Sequence, residues 1–248
     1  IEAQPIFTGF FGVLLGLFKR RTRVLNISDL WPDHLLAVGA LTEQSRVYKM
    51  ARAVVDWMYR RAAKIVVLSP RWGEKIVAYI GEDAPIDVIL NGIDLTHFSP
   101  EMGAQSFRGK HNIPADKTVV AFIGTFATQY DFQTMFRVIE RAQTQQDVLF
   151  MFCGTGSQQV IFDAWMREYS PTNVVHTGWL DPVEIPHAWA TTDIAFWAMH
   201  DAPLYQGTVP AKLFEIFGMG RPLVAAMQGV ASDIITQSES GVTVTCGD

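Results

Sequence analysis

Short apolar runs alternate along this chain with longer stretches in which apolar residues return every three or four positions. Residues 23–28 read as a strand, turned off at the carboxyl end by Asp29-Leu30-Trp31-Pro32-Asp33. Val47, Met50, Ala51, Val54, Met58 and Ala62 recur at helical spacing and predict a long amphipathic helix. A strand over 64–68, a helix over 72–80 and a strand over 87–90 follow. Asn91-Gly92 then opens a polar stretch without clear periodicity that runs to Lys117 and marks a domain boundary. Beyond it, strands are expected over 119–123, 148–152, 174–177, 194–197 and 223–226. Helices are expected over 132–142, 160–169, 183–190 and 211–219. Such alternation predicts an α/β fold with parallel sheets and helices on both faces. The expected division is a first domain over 1–90, a linker over 91–117 and a second domain over 118–248.

The first helical stretch differs from the rest. Residues 7–18 are apolar and end at Lys19-Arg20-Arg21. Twelve residues are too few to cross a bilayer, which takes about twenty. A signal peptide would carry its basic residues before the apolar run. The segment reads as a core helix with an outer face open to a membrane.

Composition sharpens this reading. The 248 residues are 49% apolar, enough for two ordinary domains, and carry a net charge of −5. That balance argues against nucleic acid as a partner. It is also uneven: residues 1–75 hold 12 Lys/Arg against 6 Asp/Glu, and residues 76–248 hold 8 against 19. The basic first third suits an anionic partner or an anionic membrane surface. Cys153 and Cys246 have neither disulfide-framework nor metal spacing, and the chain reads as cytosolic.

The densest chemistry lies in Gly207-Thr208-Val209-Pro210-Ala211-Lys212-Leu213-Phe214-Glu215, running on into Gly220-Arg221-Pro222 and an apolar strand. Proline favours the first turn of a helix, and first-turn N–H groups suit phosphate. Lys212 adds a cation where a helix disfavours one unless an anion is present. Glu215 falls on nearly the same face and suits sugar hydroxyls better than phosphate. This spacing suggests a nucleotide-sugar site. Ligands of open α/β sheets bind beyond the carboxyl ends of the strands. Gly124-Thr125, Gly154-Thr155-Gly156-Ser157, Thr177-Gly178-Trp179 and Gly207-Thr208 all fall at such ends. No Walker-type Gly-Lys-Ser/Thr is present, which excludes the usual ATPase loop, and no Asp-x-Asp, so neither a metal nor another cofactor is expected.

Five ordered segments resemble the GT-B glycosyltransferases of family 4: Asp29 to Asp33; Ile65-Val66-Val67-Leu68-Ser69-Pro70; Asn91-Gly92-Ile93-Asp94 with Phe98; Gly154-Thr155-Gly156; and the 207–226 block. The likeness is greatest to bacterial members that build surface polysaccharides. It implies two Rossmann-like domains facing across a cleft, the nucleotide-sugar donor held mainly by the second, and retention at the anomeric carbon. Lys212 and the amides of Thr208, Val209, Pro210 and Ala211 would then serve the diphosphate, proline through its flanking peptides. Glu215 would hold the ribose and Gly124-Thr125 would approach the phosphates. The loops 154–157 and 177–179 would border the base, with Trp179 available to stack on it. Asp29 is the candidate catalytic residue of the first domain, beside Lys212. The implied acceptor is a glycan or polyprenyl-pyrophosphate-linked glycan, at the inner face of the cell membrane.

The sequence also departs from the family pattern. Gly207 stands where a first glutamate is common, Ser28 where some members carry histidine, and Thr128 where an arginine often follows the first strand. The chain is expected to be a fragment short at both ends. Two alternatives share this architecture: a sugar-nucleotide epimerase, for which His200-Asp201 is the pair to test, and a non-catalytic nucleotide-sugar-binding subunit.

Overall fold

The structure, a computed structural model, describes residues 1–247. It forms two compact units: residues 1–91 together with 202–209, and residues 92–201 together with the chain from Pro210 on. Return of 202–209 to the first unit has no counterpart in the linear division expected from the sequence.

In the first unit, α1 (Ile6–Phe18) precedes β1 (Val24–Ile27), α2 (Asp33–Ala37), α3 (Arg46–Arg60), β2 (Lys64–Val67), α4 (Pro70–Ile80) and β3 (Ile86–Val88). The strands form a parallel sheet in the order β1-β2-β3. Leu25, Ile27, Ile65 and Val67 point into a core completed by Val13, Val55, Met58, Tyr59, Trp72, Ile76 and Leu204. Helix starts follow local chemistry. Ser45 Oγ accepts from Tyr48 N–H at 3.1 Å, and Ser69 Oγ from Trp72 N–H at 3.3 Å with Pro70 just inside.

Helix α3 forms where expected, but its core face is Tyr48, Val55, Met58 and Tyr59, while Val47 and Met50 are exposed. Helix α1 also forms, yet only Gly9 and Val13 are fully buried on it. Val13 joins the core with Ile6, Phe10 and Leu17 packed against it, and Phe7, Phe11, Leu14, Leu15 and Phe18 make an exposed apolar stripe on the outer face.

The second unit holds α5 (Gln105–Lys110), β4 (Thr118–Ile123), α6 (Phe132–Arg141), β5 (Val148–Cys153), α7 (Gln159–Tyr169) and β6 (Val174–Gly178). It continues with α8 (Ile185–Thr191), β7 (Ile194–Ala198), α9 (Lys212–Gly218), β8 (Leu223–Ala226), α10 (Val230–Gln237) and β9 (Gly241–Val244). Its six strands are all parallel, in the order β6-β5-β4-β7-β8-β9. The chain winds outward from β4 to β6, then from β7 to β9 in the opposite direction, so the switch point lies between β4 and β7. An aromatic core fills one face of the sheet: Phe122, Phe126, Phe132, Phe136, Phe152 and Phe162, with Trp165 stacked on Phe136 at 4.2 Å. Four of these elements escaped the sequence reading: α2 after the Asp29–Asp33 turn, α5 in the aperiodic stretch, and α10 and β9 beyond the last expected strand.

Candidate functional site

At the carboxyl edge of the second sheet, the loops that follow β4, β5 and β6 are bonded to one another. Gly124 N–H donates to the Cys153 carbonyl at 2.8 Å, Phe126 N–H to Thr155 at 2.9 Å, and Gly154 N–H to Gly178 at 2.8 Å. His176 Nε2 lies 3.0 Å from the Gly154 carbonyl, and Ser157 Oγ donates to that of Phe126 at 3.3 Å. Glycine is required here by proximity: a Cβ on Gly154 would stand 2.0 Å from the Gly124 carbonyl oxygen. Three of the four glycine turns read from the sequence therefore converge on one edge, those at Gly124, Gly154 and Gly178. The loop after β4 is also tied to the end of β7, because Asp131 N–H donates to Ala198 at 2.9 Å and His200 N–H to Gln129 at 3.0 Å.

Lys212 reaches the switch point itself. It is the first residue of α9, and its Nζ lies 4.1 Å from the Phe122 ring centre, 4.5 Å from Tyr130 and 5.8 Å from Trp197. Phe122 belongs to β4 and Trp197 to β7. The residue as a whole is only partly buried, but its Nζ is closed off from solvent and has no hydrogen-bond partner among the described residues. A Cβ on Gly124 would stand 2.4 Å from this nitrogen. Burial pulls the amine down to about 7, against the opposing charge of Glu215.

Glu215 is held by Trp189, whose Nε1 donates to Oε2 at 2.8 Å. The other carboxylate oxygen carries no hydrogen bond among the described residues. Helix α9 closes with a left-handed Gly220, φ +60°, and bonds from Arg221 N–H to Ile216 and from Gly220 N–H to Phe217, the Schellman pattern.

The helix mouth differs from the sequence expectation. Helix α9 begins at Lys212, not near Pro210, and has seven residues. Leu213 and Phe214 N–H donate back to Pro210 and Ala211, both at 3.0 Å, and Thr208 N–H to Tyr205 at 3.0 Å. Fewer amides stand open than the motif promised. Gly207, Thr208 and Val209 fall in the segment grouped with the first unit. A Cβ on Gly207 would stand 2.7 Å from Trp72 Cδ1, which explains why no glutamate fits there. Trp179 is 65% exposed, which leaves its ring available. Thr125, Thr155, Gly156 and Ser157 are exposed, and Thr177 is half-buried with its hydroxyl donating to the Gly178 carbonyl at 3.1 Å. Cys153 is a buried strand residue whose thiol is pushed up to about 12 by burial.

In the first unit, Asp29 is half-buried at the end of β1, and burial raises its carboxyl above the ordinary range while His34, with Nδ1 at 3.5 Å, pulls it down. A neighbouring cluster was missed. Asp33 is buried and accepts from Tyr48 at 3.3 Å, Tyr79 at 2.5 Å and Arg52 at 3.0 Å, with Lys75 Nζ at 3.2 Å. Arg52 also lies 4.1 Å from the Tyr79 ring centre and pairs with Asp56. The only signal in the sequence was the acidic end of the Asp29–Asp33 turn.

The family described as Glycosyl transferases group 1 matches residues 104–248, well over half of the chain. The chain belongs to that family. TuaH of Bacillus subtilis (strain 168), named for teichuronic acid biosynthesis, is similar to this group 1 glycosyltransferase chain at 26% identity over 221 residues, covering 86% of the chain and 52% of TuaH. The 2-deoxystreptamine glucosyltransferase of Streptomyces kanamyceticus is 25% identical over 193 residues, 76% of the chain and 49% of the relative. The chain thus spans about half the length of the curated relatives it matches. Among solved structures, Alr3699/HepE of Anabaena in complex with UDP superposes with a TM-score of 0.76 at 17% identity, covering 97% of the chain and 63% of HepE. WaaG, involved in lipopolysaccharide biosynthesis, does so at 0.70 and 13%, covering 90% and 61%. These likenesses establish the GT-B fold of a group 1 member.

Proposed function

We propose that this chain carries the donor-binding part of an enzyme that moves a sugar from a UDP-linked donor to a glycan or polyprenyl-pyrophosphate-linked acceptor in surface polysaccharide synthesis. The observation that carries the reading is the partnerless, buried Nζ of Lys212, lodged between β4 and β7 where open α/β sheets take their ligands. An amine left without an acceptor in such a place suits an anion. The diphosphate is assigned to Lys212 and the Gly124-Thr125 turn, the ribose to the free oxygen of Glu215, and the base to the 154–157 and 177–179 loops. HepE, of the same fold, was crystallised with UDP and with UDP-glucose.

Glycosyl transfer leaves negative charge on the departing diphosphate. A preorganised cation is worth most where water is excluded, and Lys212 supplies it without a metal. Retention, inferred from the family 4 resemblance, and a proton-handling role for Asp29, whose carboxyl is already raised by burial, complete the proposed chemistry. Calorimetry of UDP binding tests the assignment. Lys212→Ala should weaken binding by about 1.5–3 kcal/mol, roughly 10- to 150-fold. Unchanged affinity would sink the reading. Turnover should also survive a chelator.

We further propose that the chain works on the cytoplasmic side of an anionic membrane. The support is helix α1, whose exposed Phe7, Phe11, Leu15 and Phe18 lead into exposed Lys19, Arg20 and Arg21. An apolar face bordered by cations suits the interface of an anionic bilayer.

A further inference from the structure

The rings around Lys212 raise a question that phosphate binding alone does not answer: what the amine does while the site is empty. An ammonium there has three N–H donors and no acceptor. Ring faces at 4.1, 4.5 and 5.8 Å attract a cation, but they do not replace lost hydration. Gly124 leaves the nitrogen just enough room to sit against the backbone at the end of β4, since a Cβ there would collide with it.

We propose that Lys212 is stored uncharged in this box of rings and takes up one proton from solvent when a nucleoside diphosphate arrives, so that donor binding consumes a proton. The inference rests on the reading of Lys212 as the phosphate-binding group. The step balances simply: the Nζ lone pair accepts a proton from the buffer, the amine becomes an ammonium, and the charge is met by the diphosphate.

The groups facing the amine permit this. From its own helix, Glu215 pulls toward the charged form, but that carboxylate is already engaged by Trp189. The loop after β4 contributes the Tyr130 hydroxyl, whose proton is held more tightly than usual by burial and by Glu215, so it offers no phenolate. β4 and β7 contribute Phe122, Gly124 and Trp197, none of which titrates. With burial dominant, the amine falls to about 7 in the empty site. A bound diphosphate restores it toward the ordinary lysine value of about 10.4.

The sign and size follow from linkage. With the amine at about 7 when empty, binding should take up roughly 0.9 proton at pH 8. The UDP phosphates, whose last ionisation resembles that of a phosphomonoester at about 6, are fully charged there and add nothing. Affinity for UDP should fall roughly eightfold between pH 7.5 and 8.5.

The test is calorimetry of UDP binding at pH 8 in buffers of different ionisation enthalpy, with the unaltered chain, Lys212→Arg and Lys212→Met. Uptake near one proton in the unaltered chain, absent in both variants, is expected. UDP binding without proton uptake would overturn the proposal while leaving the phosphate role of Lys212 intact. Uptake that persists in a folded variant would move the proton elsewhere and overturn it too. If UDP does not bind the unaltered chain at all, the functional reading falls and takes this inference with it.

Discussion

Two side chains show how far single positions could be read. The place of Lys212 in the first turn of a helix was legible from Gly-Thr-x-Pro before it, and its anion-binding role stays a proposal. Its enclosure by Phe122, Tyr130 and Trp197 was not legible, since Phe122 and Tyr130 lie 90 and 82 positions earlier and only the switch between β4 and β7 sets them beside Trp197. Asp33 was not legible either; its partners Tyr48, Arg52, Lys75 and Tyr79 come from two later helices. Removing that carboxylate leaves the nearly buried Arg52 with Asp56 as its one carboxylate partner and leaves Tyr79 and Tyr48 without their acceptor. Asp33→Ala should cost about 3–5 kcal/mol of stability, read as a fall in the urea midpoint at unchanged slope. A drop below 1 kcal/mol would mean that water rescues the cluster. Gly154→Ala drives a methyl into the Gly124 carbonyl and should cost about 1–3 kcal/mol and weaken UDP binding with it.

Secondary structure was read best where periodicity was strong and caps were explicit. The strands from β4 to β8 fall at the expected positions because each is an apolar run between turn residues. Helix α3 was found with the later half of its stripe right, since Met58 lies in the core and Val54 and Ala62 pack against it. At its start Tyr48 faces inward whereas Val47 and Met50 face out, so apolar periodicity alone misplaced the first turns. Helix α5, six residues around a single buried Phe107, is too short to show a period. Helix α1 makes the sharpest claim of this kind. Vesicles containing anionic lipid should retain the chain at low salt and release it as salt rises, whereas neutral vesicles should retain it poorly. Phe11→Ser with Phe18→Ser should abolish retention without lowering the melting temperature, because neither ring belongs to the core. Equal retention by that double variant would rule out α1 as the anchor.

Over the entire chain, the most unusual energetic term is a lysine that folding leaves less basic than it is in the unfolded state. Folded chains then bind fewer protons than unfolded ones between about 7 and 10, so this residue makes stability rise with pH across that window. The direction is opposite to that of a lysine held by a carboxylate. A difference of about 3–5 kcal/mol between the two ends of the window is expected from the shift. It should show as a melting temperature that climbs with pH relative to Lys212→Met. A flat difference would mean that the amine keeps its charge among the rings. The parallel sheets were within reach of sequence reasoning, since repeated β-α units imply them, but the strand order was not read. The division between units was only partly so.

Residues 202–209 bring Leu204 into the hydrophobic centre built by residues 1–91, against Trp72 and its neighbours. A ribosome must therefore deliver more than two hundred residues before that centre can be sealed. Until then its early half waits with a leucine-sized vacancy, while β4 to β7 of the other half have already emerged. Expressing 1–91 by itself would reproduce that waiting state permanently, and holdase chaperones would be its natural company.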